Sequence, residues 1–450
     1  MFTSCVYIKS PIFIQNLTIS IRAYARKLIR ENKASKSLAN KLLKLEKNEL
    51  ELNKYSRLEL MAQLKNGVDN SIFYKGIALD NISLKEFPLI DKSDIRTRSN
   101  EFLSAIKPKV IVNGSTSGTT GTPLSIPQGM ESIVREQAFI TRALVWAGFK
   151  EGDKRAWIRG DMIVPIEQKN APFWRYSYFE DMILLSSYHM TQEAIPLYLE
   201  TMNKYGVDII QAYPSSIVTL AKYLESNNLF YSGKLKSIMT SSESLSKEDK
   251  MLVEGRFKCI VFDWYGLFER VAAIASCEYG RYHILTDYSY VELQPDESKD
   301  GIERAEIIGT NFSNHLYPLI RYKTGDHVLL SKEQQCPCGR VYPLVDSIEG
   351  RVGDYLVAAD GQKIHILNHI PKGVGGLLAT QFIQDSINEV TVLVVVDSDK
   401  YKPSDELALI DNIKSRLGVE TIVLVKKVDT IPRTKNGKVR QAICNIKDEN

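Results

Sequence analysis

A chain of 450 residues, 44% hydrophobic and 25% charged, can bury a large core and is expected to form two or three domains. Its net charge of +4 gives no case for a nucleic-acid or membrane-surface partner, and six cysteines in so long a chain exclude a disulfide scaffold and point to a reducing compartment. Residues 1–14 are only mildly apolar and are interrupted by Lys9 and Pro11. No basic leader precedes them, no small-residue cleavage site follows, and no later run reaches transmembrane length, so a cytoplasmic protein is the expectation.

Residues 19–66 are rich in Leu, Lys and Glu, poor in Gly and Pro, and spaced as amphipathic helices. Residues 86–91, with Pro88, break that pattern and lead to a short helical stretch at 92–96. A strand is expected at 110–112 and a helix at 132–149. The apolar runs 156–158, 207–211 and 235–239 read as strands separated by helical segments such as 215–227. Strands alternating with helices argue for an α/β layered domain. Beyond Glu303 the pattern turns β-rich, with a run at 305–308 and a turn at 323–326. Residues 349–354, with two glycines in six positions, read as a linker, and a strand at 390–396, a helix at 405–417 and a strand at 421–425 suit a small α+β domain. The expected fold is α/β: a large multi-layer N-terminal domain over 1–350, with 1–85 as a helical lead-in, and a small mobile C-terminal domain over 351–450, joined by a hinge.

The segment Gly114-Ser-Thr-Ser-Gly-Thr-Thr-Gly-Thr-Pro123 packs small residues and hydroxyls into ten positions. It is too flexible for a helix and too poor in side chains for a core. Its backbone N–H groups and hydroxyls can wrap a polyphosphate. No Gly-Lys-Ser/Thr follows, so it is not a Walker A loop, and such a run taken alone is more often a plain loop.

Four further motifs follow it in order: Tyr265-Gly-Leu-Phe-Glu269, Arg321-Tyr-Lys-Thr-Gly-Asp326, Gly350-Arg-Val-Gly-Asp354 and Pro432-Arg-Thr-Lys-Asn-Gly-Lys438. The ordered set resembles the adenylate-forming superfamily of acyl-CoA synthetases and peptide-synthetase adenylation domains. Tyr213-Pro-Ser-Ser216, Ser241-Ser-Glu-Ser-Leu245 and Cys336-Pro-Cys-Gly-Arg340 make it similar to the phenylacetate-CoA ligase branch, and to its CapK-like members. The resemblance runs from about residue 86 to 440. It implies that Thr116, Ser117, Gly118, Thr119, Thr120 and Gly121 hold the β- and γ-phosphates of ATP. It further implies that Glu269 is the Mg²⁺-associated acid, that Asp326 grips the ribose hydroxyls, and that Arg351 serves ribose and phosphate. Tyr265 and Gly266 would lie near adenine, with Ser241, Ser242 and Glu243 lining the base pocket. Lys438 would bridge the carboxylate and the α-phosphate during adenylation. Each residue alone also fits an ordinary surface or turn role.

Two positions depart from the family pattern. Phe268 stands where a hydroxyl usually precedes the glutamate, and Gly353 stands at the usual acidic hinge position. Glycine there is compatible with rotation of the terminal domain. The implied reaction is ATP-dependent activation of a carboxylic acid as an acyl-adenylate, followed by transfer to CoA. Transfer to an amine or hydroxyl, for instance on a sugar in surface polysaccharide synthesis, and an inactive nucleotide-binding homologue are the alternatives.

Cys277, His283, Cys336 and Cys338 form a second constellation, C-x5-H followed by C-x-C, which suits a structural Cys₃His zinc set if the two halves meet; separate buried cysteines and a surface histidine are the alternative. Cys5, Cys259 and Cys444 have no evident partners. His189 and His315 sit among aromatics, as pocket residues or, more ordinarily, as satisfied core or surface histidines, and Tyr188, Tyr213 and Trp264 fit either a substrate pocket or aromatic packing.

Overall fold

The computed structural model describes residues 4–77, 84–115, 124–295, 303–349, 355–364, 367, 370–371, 373–434 and 437–446. They divide into two compact units: residues 1–23, 151–261 and 352–450 in the first, and 24–150 and 262–351 in the second.

In the first unit the apolar runs at 156–158, 207–211 and 235–239 become strands, as expected, and the structure shows them parallel, with a further strand at Met182–Leu185. Strands Ser237–Ser241, Ile209–Ala212, Arg155–Ile158 and Met182–Leu185 lie side by side in that order, and Trp174–Ser177 pairs antiparallel along the edge. Met182–Leu185 is buried at every position, the mark of a strand covered on both faces. Helices Ala194–Tyr205, Pro214–Ser226 and Lys247–Phe257 connect and cover the strands, burying Ile195, Tyr198, Ile217, Leu220, Val253 and Phe257. From Arg155–Ile158 the chain runs to Met182–Leu185 on one side. It then crosses back to Ile209–Ala212 on the other. The carboxyl ends of Arg155–Ile158 and Ile209–Ala212 therefore flank a topological switch point, where open α/β sheets bind their ligands.

The terminal portion of this unit has its own core. Strands Ile422–Lys427, Glu389–Val396, Leu377–Ser386 and Ala442–Cys444 form a four-stranded sheet, and helix Pro403–Leu417 buries Leu409, Ile413 and Leu417 against Phe382, Val392 and Val394. A second apolar cluster, Leu378, Leu393, Val395 and Ile431, packs on Tyr223 of helix Pro214–Ser226. The polar rim of that contact joins Lys400 Nζ to Asn227 Oδ1 at 2.8 Å and Gln192 Nε2 to Asp397 Oδ1 at 3.2 Å.

The second unit is built on antiparallel strands in the order Ser289–Pro295, Arg304–Asn311, Tyr322–Leu330, Leu344–Glu349, Tyr282–Ile284 and Ala273–Ser276; strand Ile260–Gly266 carries the chain into the unit and pairs with the last of these. Helices Lys33–Leu45, Glu49–Asn70 and Met130–Trp146 accompany them. The helical reading of 19–66 and of 132–149 agrees with these elements. The expected turn at 323–326 does not stand alone: it is part of strand Tyr322–Leu330. Between the pairs Ile308↔Lys323 and Glu306↔His327 the register shifts, so the strand bulges around Gly325, whose φ is +73°. The bulge re-aims Asp326 without ending the strand. A buried ion pair ties helix to sheet: Arg142 Nη2 donates to Asp287 Oδ1 at 3.1 Å, and Tyr342 Oη donates to Asp287 Oδ2 at 2.6 Å. Removing either charge would strand the other in the interior.

Candidate active site

In the second unit the motifs at 265–269 and 321–326 converge. Tyr265 Oη donates to Asp326 Oδ2 at 2.7 Å, and Tyr322 Oη donates to Glu269 Oε1 at 3.4 Å. Both carboxylates are buried. The bulge holds Asp326 from below: its N–H donates to Thr324 Oγ1 at 3.0 Å, and Thr324 Oγ1 donates to Ile307 O at 2.8 Å. Arg321, first residue of its motif, is an anchor. It takes Glu292 bidentately at 3.0 Å on both sides and reaches Phe87 O at 3.1 Å, with a left-handed backbone at φ +55°. Through Ile90, which bridges Tyr322, the segment 86–91 is fastened to the same strand.

The residues after Glu269 are fixed by a network that sequence reasoning missed. Buried Arg270, at φ +59°, donates to Gln128 Oε1 at 2.8 Å and pairs with Glu136 at 3.2 Å, while Gln128 Nε2 donates to Phe268 O at 3.2 Å. An arginine directly after the motif glutamate was the available signal.

Residues 116–121, expected at the phosphates, lie outside the described residues, as do Arg351 and Gly353. The strands flanking 116–123 are described: Ile111–Ser115 pairs antiparallel with Ser125–Gly129. Phe268 packs against the root of this ribbon. A Cβ on Gly114 would lie 2.2 Å from Phe268 Cζ, so the glycine makes room for the aromatic ring. The departure from a hydroxyl at 268 is thus matched by a glycine at 114.

In the first unit, Ser241 ends strand Ser237–Ser241 and Ser242 and Glu243 follow it, with Ser242 left-handed at φ +76°. Glu243 is a clasp. Its Oε2 accepts from Ser215 N at 2.9 Å, in the first turn of helix Pro214–Ser226, and its Oε1 accepts from Val439 N at 2.8 Å. The terminal loop is seated against residues 159–160: a Cβ on Gly437 would come 2.0 Å from Gly160 Cα. The loop also bonds itself, Arg433 Nη1 to Gly437 O at 2.8 Å and Lys438 N to Thr434 Oγ1 at 3.1 Å. Lys438 is half-buried.

Arg159 lies at the switch point. Its guanidinium donates to Ser241 Oγ and to Ser242 Oγ and sits between the rings of Trp157 and Tyr213, 4.9 and 5.0 Å from their centroids. Burial lowers the pKa of both Arg159 and Arg433. Burial likewise raises the Tyr188 and Tyr213 phenols, with Arg433 opposing the rise at Tyr188 and Arg159 opposing it at Tyr213. Tyr188 and Tyr213 therefore lie close to the guanidinium groups of Arg433 and Arg159 respectively.

His189 is buried and His315 half-buried, and both are hydrogen-bonded. His189 Nδ1 and Ser186 Oγ share a 2.8 Å hydrogen bond, and the ring stacks on Phe173. His315 Nδ1 and Gln63 Oε1 share one of 2.8 Å. Cys5, Cys259 and Cys444 are free, and burial pushes the Cys259 thiol up to about 12, which makes it inert.

The two halves of the Cys/His set do meet, within the second unit. The ligand atoms of Cys277, His283, Cys336 and Cys338 all lie within 4.8 Å of one another. Cys277 Sγ is 3.6 Å from Cys336 Sγ, and Cys338 Sγ is 3.5 Å from His283 Nε2. A tetrahedral zinc, with bonds of about 2.3 Å to sulfur and about 2.0 Å to nitrogen, holds its ligand atoms about 3.5–3.8 Å apart. The residues fit that ion. The N–H groups of Tyr279 and Arg340 each point at a sulfur, Cys277 and Cys338, at 3.4 Å, the outer-shell support a thiolate centre needs. Burial, with Arg340 adding to it, drops His283 to about 4 and keeps it in its neutral, ligating form. Arg340 lies 4.0 Å over the Trp146 ring and pairs with Glu46 at 3.3 Å, and Lys47 Nζ reaches Cys338 O at 2.6 Å. The cluster therefore joins hairpin 273–284, loop 336–340 and the turn after helix Lys33–Leu45.

The 2-hydroxyisobutyryl-CoA ligase structure in the postadenylation state, with R3-HIB-AMP, matches 89% of this chain and 91% of its own at a TM-score of 0.64 and 16% identity. The same ligase with 2-HIB-AMP and CoA in the thioesterification state matches the same shares at 0.51 and 18%. The fold is that of the adenylate-forming ligases. More particularly, residues 356–445 match the family model described as the CapK C-terminal domain. The chain is CapK-like along its length: it is 28% identical to Protein CapK of Staphylococcus aureus over 456 residues, covering 98% of this chain and 99% of that protein.

Proposed function

We propose that this protein is an ATP-dependent adenylate-forming ligase. The observation that carries the reading is the convergence of Tyr265 with Asp326 and of Glu269 with Tyr322, which brings together residues that the motif resemblance assigns to one nucleotide. A carboxylate oxygen of the donor acid attacks the α-phosphorus of ATP. The bond to the bridging oxygen breaks, and pyrophosphate leaves with the electron pair. Asp326 offers two acceptor oxygens to the two ribose hydroxyls, with Tyr265 orienting one of them. Glu269 supplies the hard oxygen ligand suited to Mg²⁺, an ion that neutralises charge on the phosphates when bound. Lys438 supplies the cation at the forming carboxylate–phosphorus bond. The phosphate role of 116–121, the role of Arg351, and the division into a large domain and a rotating terminal domain near residue 351 belong to the same reading. The Cys277–His283–Cys336–Cys338 centre holds structural zinc, since four protein ligands leave no open position for chemistry.

The acyl group then passes to CoA in this reading. An amine or hydroxyl acceptor is the second possibility, and CoA-dependent release of AMP separates the two. The test of the whole reading is acid-dependent exchange of labelled pyrophosphate into ATP across aryl, fatty, amino and sugar acids. Exchange with one class establishes adenylation, and none with any class, by protein that is folded and zinc-loaded, overturns it.

Asp326→Ala is expected to weaken ATP binding about 10- to 100-fold, measured by titration calorimetry, because a ribose grip acts in the ground state. Unchanged ATP affinity would remove Asp326 from the ribose. Gly437→Ala is expected to dislodge the terminal loop, because the position is left-handed at φ +73° and the new Cβ would meet Gly160. Pyrophosphate exchange should fall about tenfold or more although Lys438 is intact, with ATP affinity preserved. Full exchange in that variant would show that the seated loop is not the adenylating arrangement.

A further inference from the structure

Helix Ile12–Arg30 is amphipathic in the inverted sense. Its protein-facing side is largely polar: Gln15, Asn16, Ile19, Ser20 and Ala23 are the buried residues. Those polar groups cover the open edge of strand Trp174–Ser177. Asn16 Oδ1 accepts from Tyr176 N at 3.0 Å, Ser20 Oγ accepts from Tyr178 N at 2.9 Å, and Gln15 Oε1 accepts from Arg175 Nε. The edge N–H groups would otherwise template pairing with another chain, so the polar face is committed to capping them. The apolar face is left outward. Phe13, Leu17, Ile21, Tyr24 and Leu28, spaced four, four, three and four residues apart, form one stripe and are 68%, 48%, 55%, 49% and 61% exposed. Val6, in the preceding short helix, is 81% exposed.

The charge of this region is equally one-sided. The first thirty residues contain Lys9, Arg22, Arg26, Lys27 and Arg30 and no Asp or Glu. The helical spacing places Arg22 and Lys27 on the two borders of the apolar stripe. The small net charge of the whole chain conceals this local excess. No helix among the described residues is long and apolar enough to cross a membrane, so this one can lie on a bilayer but not span it.

We propose that helix Ile12–Arg30 docks this protein on the surface of an anionic lipid bilayer. Its apolar stripe enters the headgroup–acyl boundary, and the basic border meets lipid phosphates. Tyr24 and Phe13 are of the type that suits that boundary. A second copy of the chain is the poorer occupant, because a symmetric contact through the stripe would bring its like-charged borders, Arg22 and Lys27, together. Docking would hold the ligase beside substrates or acceptors carried in the membrane.

The experiment is co-sedimentation of the full-length protein with phosphatidylglycerol vesicles and with phosphatidylcholine vesicles. Binding to the anionic vesicles, at least about tenfold stronger than to the neutral ones and weakened by salt, is expected. Leu17→Glu with Leu28→Glu should lower that binding about tenfold or more, with unchanged melting temperature, since both side chains are exposed. Phe13→Asp repeats the test on a separate turn should the pair fail to fold. No sedimentation with anionic vesicles overturns the proposal, and so does binding that both sets of substitutions leave intact. A concentration-dependent dimer that Leu17→Glu and Leu28→Glu dissolve, without vesicle binding, overturns it in favour of a second copy. None of these residues belongs to the proposed adenylation machinery, so pyrophosphate exchange is read independently.

Discussion

Lys438→Ala is expected to lower acid-dependent pyrophosphate exchange by about 10²- to 10³-fold while leaving the ATP dissociation constant within about twofold. The reason is where charge develops. The attacking carboxylate and the α-phosphate repel each other, and a cation between them matters most as their bond forms. ATP bound alone gains little from it. The terminal loop should survive the substitution because several bonds from other groups also hold it. Arg433 Nη1 bonds Gly437 O, Thr434 Oγ1 receives the backbone N–H of residue 438, and Glu243 receives that of Val439. A melting temperature equal to that of the parent protein is therefore part of the expectation. Joint loss of ATP binding, exchange and thermal stability would assign Lys438 a structural role instead. Comparison with Gly437→Ala separates the amine from the loop that carries it.

Cys336→Ser combined with Cys338→Ser is expected to lower bound zinc from about one ion per chain to none, and to lower the melting temperature of the second unit by about 10 °C. The size follows from what the centre joins. The ligands lie on a hairpin and a distant loop, and Lys47 and Glu46 tie that loop to the helices. Without a metal, two thiols at 3.6 Å and a buried imidazole gain little from each other, and burial pushes the Cys336 thiol up to about 12. Metal analysis of the purified protein reads the first effect and calorimetry the second. A parent protein without zinc, or a variant that keeps it, would end the assignment. Adenylation per folded molecule should persist in the variant, because the centre has no open ligand position.

Much of this molecule was legible in the chain itself. Apolar runs alternating with helical stretches from 156 to 239 indicate α/β layers, because each such run must be covered by the helices between. Short-range patterns likewise specify helices Lys33–Leu45, Glu49–Asn70 and Met130–Trp146, and strand Glu389–Val396 with helix Pro403–Leu417. The chemistry-bearing residues could be named for a related reason: phosphate, ribose and metal each demand particular donors, and such residues come in short runs.

What only the tertiary structure decided concerns groups far apart in sequence. Thr324-Gly-Asp326 reads as a turn, yet the pairing with strand Arg304–Asn311 makes it a bulge that aims Asp326 at Tyr265. Whether Cys277 and His283 meet Cys336 and Cys338 depends on strand order, which local pattern does not encode. Arg270 and Arg159 look like ordinary charges until folding surrounds each with partners from other segments, and the bonds of Glu243 to Ser215 N and Val439 N likewise appear only in the fold. The outward apolar face of helix Ile12–Arg30 is the sharpest case. By sequence, residues 19–66 read as amphipathic helices, and an apolar helix face is ordinarily the buried one, since burying apolar surface is the usual gain. Only the unsatisfied N–H groups of a sheet edge, brought beside the helix by the fold, turn its polar side inward and its apolar side out.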